Sequence, residues 1–144
     1  MKNIFGKSAI LFTFIALFAF TTGKKKEVGT WTGTDNGKVG SVVFDKDGYA
    51  AFVIDGQTLG GKSFTQGGIE LSMKYEIDYD ALPIQVDFIF FAAALDQEVA
   101  RMKGIMKFEG KKTMMLALSF DAKGDSQRPD NFDDDNSITL EKTK

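Results

Sequence analysis

An all-β fold, a single antiparallel up-and-down barrel of about eight strands, is what this 144-residue sequence predicts. Three observations carry the prediction. Downstream of Val28, apolar residues recur at every second position, the side-chain period of a strand and not of a helix. Gly-containing turn signals separate these runs at short intervals. Closing a meander of that kind into a barrel removes the exposed sheet edges that would invite aggregation.

The elements follow in order. Lys2 and Lys7 precede an apolar run from Ala9 to Phe20 that holds no carboxylate. A basic stretch ahead of about a dozen apolar residues is the pattern of a secretory signal, and it falls short of the ~20 residues that a spanning helix needs. Thr21 and Gly23 offer only a loose cleavage site, and Lys24, Lys25 and Lys26 follow at once, where positive charge resists translocation. Residues 1–23 are therefore expected to be a signal peptide or a membrane anchor, 24–28 a basic linker, and 29–144 the folded domain. The chain is expected to be exported, and membrane-anchored by its N-terminal segment if that segment is not cleaved. A lipoprotein anchor is excluded, because it needs a cysteine thiol and the chain has none.

The opening strand is expected at Gly29 to Thr34. Val39 to Phe44 and Tyr49 to Ile54 are β-prone runs joined by Asp45, Lys46, Asp47 and Gly48, which predicts a hairpin. The pairs Gly60-Gly61 and Gly67-Gly68 bracket a short segment around Phe64, expected to be another edge or connecting strand between turns. The clearest strand has Ile69, Leu71, Met73, Tyr75, Ile77 and Tyr79 on one face and Glu70, Ser72, Lys74, Glu76 and Asp78 on the other. After Pro83, the residues Ile84, Val86, Phe88 and Phe90 alternate with Gln85, Asp87, Ile89 and Phe91, so that both faces become apolar and the outer one needs a cover. Phe91 to Ala100 reads as strand then loop, with helix as the alternative because of Ala92 to Ala94. Met102, Gly104, Met106 and Phe108 pair through a Gly110-Lys111 turn with Met114, Leu116, Leu118 and Phe120. A polar loop from Asp121 to Asn136 precedes a last strand at Ser137 to Glu141.

Composition narrows the chemistry. The sequence has no His and no Cys, which removes the commonest general base, the commonest metal ligand, thiolate chemistry and any disulfide. Two of its 18 basic residues are in the leader, leaving 16 against 20 acids and a net charge of −4. That charge disfavours nucleic-acid binding. No phosphate loop, nucleophile elbow or triad is found, so the chain is read as non-enzymatic and without a cofactor. Asp130, Asp133, Asp134 and Asp135, with Asn131 and Asn136, carry oxygen ligands of the kind calcium takes but lack the alternating spacing that points them at one centre. They read as a solvated loop, and no metal site is expected.

Gly29-Thr30-Trp31 at the start of the first strand resembles the G-x-W signature of lipocalins. The order of later features is similar to that of small lipocalin-like domains of bacterial exported proteins: Pro83 leading into Asp87, then Lys103-Gly104-Ile105 with Phe108, then Arg128-Pro129 with Phe132, then a terminal strand. The resemblance covers Gly29 to Lys142, with Met106 where that family usually has Tyr. It implies a late basic residue stacked over the first-strand tryptophan, here Arg128 over Trp31, as a barrel-closing pair.

Trp31, Tyr75, Phe88, Phe90, Met106, Met114 and Leu118 are the residues expected to line a ligand cavity in the barrel interior, if they do not simply fill it. Two readings follow. One is a cell-envelope binding module that holds a small hydrophobic or amphipathic molecule. The other is a structural or protein-interaction domain with a filled core. In either, membrane contact is expected only through residues 1–23, if they are retained.

Overall fold

The computed structural model describes residues 25–35, 37–120 and 127–144, and among these it contains ten strands and no helix. They are β1 (Gly29–Asp35), β2 (Lys38–Phe44), β3 (Ala50–Ile54), β4 (Gln57–Gly60), β5 (Phe64–Gln66), β6 (Ile69–Asp78), β7 (Ile84–Ala92), β8 (Gln97–Glu109), β9 (Thr113–Phe120) and β10 (Ser137–Lys142). The leader expected at 1–23, Lys24 of the linker and residues 121–126 of the polar loop lie outside the described residues.

Every pairing is antiparallel, in the order β4-β3-β2-β1-β10-β9-β8-β7-β6-β5. The first and last strands pair with each other, Trp31 opposite Lys142 and Thr32 opposite Glu141. The wall is interrupted between β4 and β5. There the Ala50 carbonyl accepts from the Gly61 amide, the Gly61 carbonyl from Met73 and the Gly48 carbonyl from Tyr75, stitching the β3–β4 side to β6. The result is a nearly closed up-and-down barrel.

The strand count is ten, not about eight. β4 escapes the alternation rule because Gln57-Thr58-Leu59-Gly60 has one large apolar residue, whereas β5, three residues long, is the short strand expected around Phe64. Two-residue turns set both hairpins. Asp55 and Gly56 have φ of 51° and 76°, and Gly67 and Gly68 have 56° and 78°, the doubly positive geometry whose twist matches flanking strands. Residues 93–96 form a turn and β8 begins at Gln97, so the helical alternative for Phe91 to Ala100 is not adopted. A register shift at Phe90/Phe91 marks a bulge in the β7–β8 pair.

Up-and-down connectivity gives the barrel two distinct ends. The terminal end carries both chain termini and the turns after β2, β4, β6 and β8; the distal end carries the turns after β1, β3, β5, β7 and β9. Between them, one face of every long strand enters a core that includes Trp31, Phe44, Met73, Phe88, Met106, Met114 and Leu116, each no more than 1 % exposed. A second apolar layer lies outside the wall. Ile89, Ile105 and Ala117 alternate with core-facing residues yet are buried, and Arg128, which follows the β9 strand, hydrogen-bonds to this same face. The cover expected over the outer side of β7 is therefore present.

Candidate ligand site at the distal end of the barrel

Of the seven residues expected to line an interior cavity, Trp31, Phe88, Met106 and Met114 are fully buried against one another and their neighbours, and Phe90 nearly so. Tilted and edge-on ring contacts lock the aromatic ones: Trp31 to Phe108 at 5.9 Å, Phe44 to Phe88 at 5.7 Å, Phe52 to Phe88 at 4.9 Å and Phe64 to Phe90 at 6.2 Å between centroids. These side chains form the waist of the barrel. Leu118 and Tyr75 are the two members that reach a pocket, at opposite ends.

Leu118 belongs to a distal pocket of about 490 Å³. Its floor is apolar, made by Val42, Phe52, Leu116, Leu118, Ile138 and Leu140, and its rim is polar, made by Asp35, Ser41, Asp134, Asp135, Asn136 and Ser137. The floor arises from strand alternation: Leu116 and Leu118 on β9 face the same side as Ile138 and Leu140 on β10 and Val42 on β2. The rim arises where polar residues end β1 (Asp35) and begin β10 (Ser137), stand on β2 (Ser41), and fill the connection after β9 (Asp134, Asp135 and Asn136). Asn136 Oδ1 is buried in this connection and makes no hydrogen bond among the described residues. A second distal depression, about 820 Å³, is lined by Ile69, Leu71, Ala92, Leu95 and Val99 with Gln66 and Glu70. Ile54, Ile69, Leu95 and Val99, all at or near this end, are half or more exposed.

Tyr75 lies toward the terminal end in an arrangement that sequence reasoning missed. Glu27, 2 % exposed, is folded under the barrel. Its side chain accepts from the Tyr79 hydroxyl at 2.5 Å, its backbone carbonyl accepts from Trp31 Nε1 at 2.8 Å, and the Tyr75 hydroxyl, which donates to the Asp45 carbonyl at 2.8 Å, lies 3.4 Å from Glu27 Oε1. Burial, reinforced by the adjacent Glu27, holds both tyrosine hydroxyls well above their ordinary pKa. Glu27 stands in the stretch read as a linker, and no period-2 pattern marks it. Tyr79 was expected on the core face of β6; the strand ends at Asp78 and the ring turns instead to Glu27.

The expected Trp31–Arg128 pair is not formed, and the two residues lie on opposite sides of the wall. Arg128 Nη1 donates to Asp87 Oδ1 at 2.6 Å and to the Gly104 carbonyl at 2.8 Å. Asp87 points outward because Val86 and Phe88 beside it point in. Arg101 completes the cluster, bonding Asp87 Oδ2 at 2.7 Å and Glu98 at 2.5 Å. Burial raises the Asp87 pKa, but the Arg128 and Arg101 hydrogen bonds outweigh it and hold the carboxyl below its ordinary value. The cation over Trp31 is Lys142, whose Nζ is 5.3 Å from the ring centroid. β10 pairing with β1 sets Lys142 directly opposite Trp31, a proximity that depends on strand order and not on residue type.

Among the described residues, no group of three or more Asp or Glu side chains is placed to hold a metal ion. No family model, curated protein or solved structure matches this chain, so the reading of the site stands on its own residues.

Proposed function

We propose that this chain is a non-enzymatic binding module of the cell envelope, lipocalin-like in architecture, that holds a small amphipathic molecule at the distal mouth of its barrel and not in its waist. The observation that carries the reading is the pocket of about 490 Å³ with an apolar floor and a polar rim. Such a volume and lining suit a small ligand, the floor supplying affinity and the rim orientation. Asp35, Asp134 and Asp135 on the rim favour a head group that is cationic or rich in hydrogen-bond donors. The absence of His and Cys from the sequence supports a container over a catalyst. The exported location rests on the leader pattern of residues 1–23.

The filled waist supports a second reading, a rigid scaffold that presents its surface to a protein partner. Titration with a neutral apolar dye such as Nile red separates the two. Saturable binding that is lost when Leu118→Arg blocks the pocket floor supports the binding module. Absence of any saturable binding to the native chain defeats it and leaves the scaffold.

A further inference from the structure

We propose that the terminal end of the barrel is a docking face for an anionic lipid surface. Six lysines from three segments distant in sequence meet there: Lys25 and Lys26 before β1, Lys111 and Lys112 in the turn between β8 and β9, and Lys142 and Lys144 at the end of the chain. The backbone holds them together. The Lys142 amide donates to the Lys112 carbonyl at 2.8 Å, the Thr30 amide donates to the Lys144 carbonyl at 3.1 Å, and Lys142 Nζ donates to the Lys26 carbonyl at 3.3 Å. Lys25, Lys26, Lys111, Lys112 and Lys144 are exposed and Lys142 is half-buried. Among the described residues none of the six has a carboxylate within ion-pair distance, whereas Lys62 at this same end is paired with Asp47, and Lys38 and Lys107 are paired with Asp55 and Glu109.

An apolar element adjoins this set. The turn between β6 and β7 shows Leu82, 94 % exposed, and Tyr79, 45 % exposed, and Tyr79 is bonded to Glu27 next to Lys26. Lysines around a protruding leucine and a tyrosine are the combination that binds the interface of an anionic bilayer, the charges drawing the face down and the apolar groups entering the headgroup layer. Asp35, Asp55, Asp96, Asp134 and Asp135 gather at the distal end, whereas the terminal end sets Asp45, Asp47, Asp78, Asp80 and Glu109 against the six lysines together with Lys46 and Lys62. The balance of charge is therefore polarised and would orient the chain on such a surface.

The sequence argues for lipid as the occupant over an acidic protein. The apolar run from Ala9 to Phe20 ends a few residues before Lys25, and Glu27 is clamped to this same end. Whatever the apolar run enters, the terminal end is what it brings near. The barrel mouth proposed to take a ligand then faces away from the bilayer, although the docking face does not depend on that ligand.

Hydrogen exchange on the full chain added to nanodiscs tests the assignment, with phosphatidylglycerol in one preparation and phosphatidylcholine in the other. Amides of 110–112 and 141–144 are expected to exchange roughly fivefold more slowly on phosphatidylglycerol, the factor equivalent to one lysine's attraction of ~1 kcal/mol. The Asp55-Gly56 and Gly67-Gly68 turns are expected to be unchanged, and 0.5 M salt should erase the difference. Equal exchange in the two lipids overturns the proposal, as does slowing confined to the distal turns. Slowing that persists in Lys111→Glu/Lys112→Glu, while the charge-matched Lys38→Glu/Lys103→Glu behaves as the native chain, overturns the role of the lysines.

Discussion

Tyr79 donates its hydroxyl proton to Glu27, a side chain that is almost wholly buried beneath the barrel. This bond fastens the segment ahead of β1 to the end of β6, 52 residues away, and gives the buried carboxyl its shortest hydrogen bond, beside the longer 3.4 Å approach of Tyr75. Tyr79→Phe removes one donor and should lower stability by about 1–2 kcal/mol, while Glu27→Ala, which strips the partner from the part-buried Tyr79 hydroxyl and the backing from Tyr75 as well, should cost about 2–3 kcal/mol. Thermal unfolding of the two variants checks the order. Equal melting temperatures for Tyr79→Phe and the native chain would show that the bond contributes nothing.

Asp87 links stability to pH. Its folded carboxyl titrates below the ordinary value because Arg128 and Arg101 hydrogen-bond to it against the cost of burial. A depressed folded pKa stabilises the native state above the unfolded value of ~3.9, and that contribution fades as pH falls through the folded pKa. Asp87→Asn should therefore cost about 1–3 kcal/mol at pH 7 and much less near pH 2. Urea midpoints at the two pH values decide it, and a gap that widens on acidification would contradict the assignment.

Lys142 and Arg128 can be told apart through the only tryptophan. Lys142 Nζ sits over the Trp31 ring, whereas Arg128 is on the outer wall. Lys142→Ala should shift the indole emission and cost about 0.5–1 kcal/mol. Arg128→Ala should leave the emission where it is while lowering stability through the unpaired Asp87. An emission change with Arg128→Ala alone would restore the pairing that the lipocalin resemblance implies.

The tight approach of β8 and β9 predicts an intolerance at Gly104. A Cβ placed there would stand 2.7 Å from the Ala117 carbonyl oxygen and 2.7 Å from a Leu118 methyl group, and the Gly104 carbonyl is held by Arg128. Gly104→Val should destabilise by about 1–3 kcal/mol through overpacking. Phe88→Ala, which empties the waist, should cost about 3–5 kcal/mol. Chemical denaturation measures both, and a neutral Gly104→Val would mean the strands can part freely at that point.

Periodicity made the barrel's long strands readable. β6 shows its core face from Leu71 to Ile77, and the doubly apolar β7 announced a covered outer face, seen in the burial of Ile89. The short strands have too few residues to establish a period: β5 was readable only from the Gly pairs on either side of Phe64, and β4 was missed. The Asp55-Gly56 dipeptide, a strong hairpin signal, would have located β4. The site was less legible than the fold for a different reason. Which of Phe88, Met114 and Leu118 fills the waist and which meets solvent depends on height along a tilted strand, and alternation reports only the face. Arg128 and Lys142 present similar charges to a sequence reader; strand order alone places Lys142 beside Trp31.

The seam between β1 and β10 has a consequence in time. Trp31 meets Lys142 across more than a hundred residues of chain, and Thr143 and Lys144 add bonds to Thr30 beyond the strands themselves. Nine strands without β10 make a curled sheet with two raw edges, and closure waits for Ser137–Lys142 to pair with β1. Contacts of such sequence separation slow folding. Until that seam forms, the open edges of β1 and β9 are free to accept a strand from a second copy, so closure competes with edge-to-edge association.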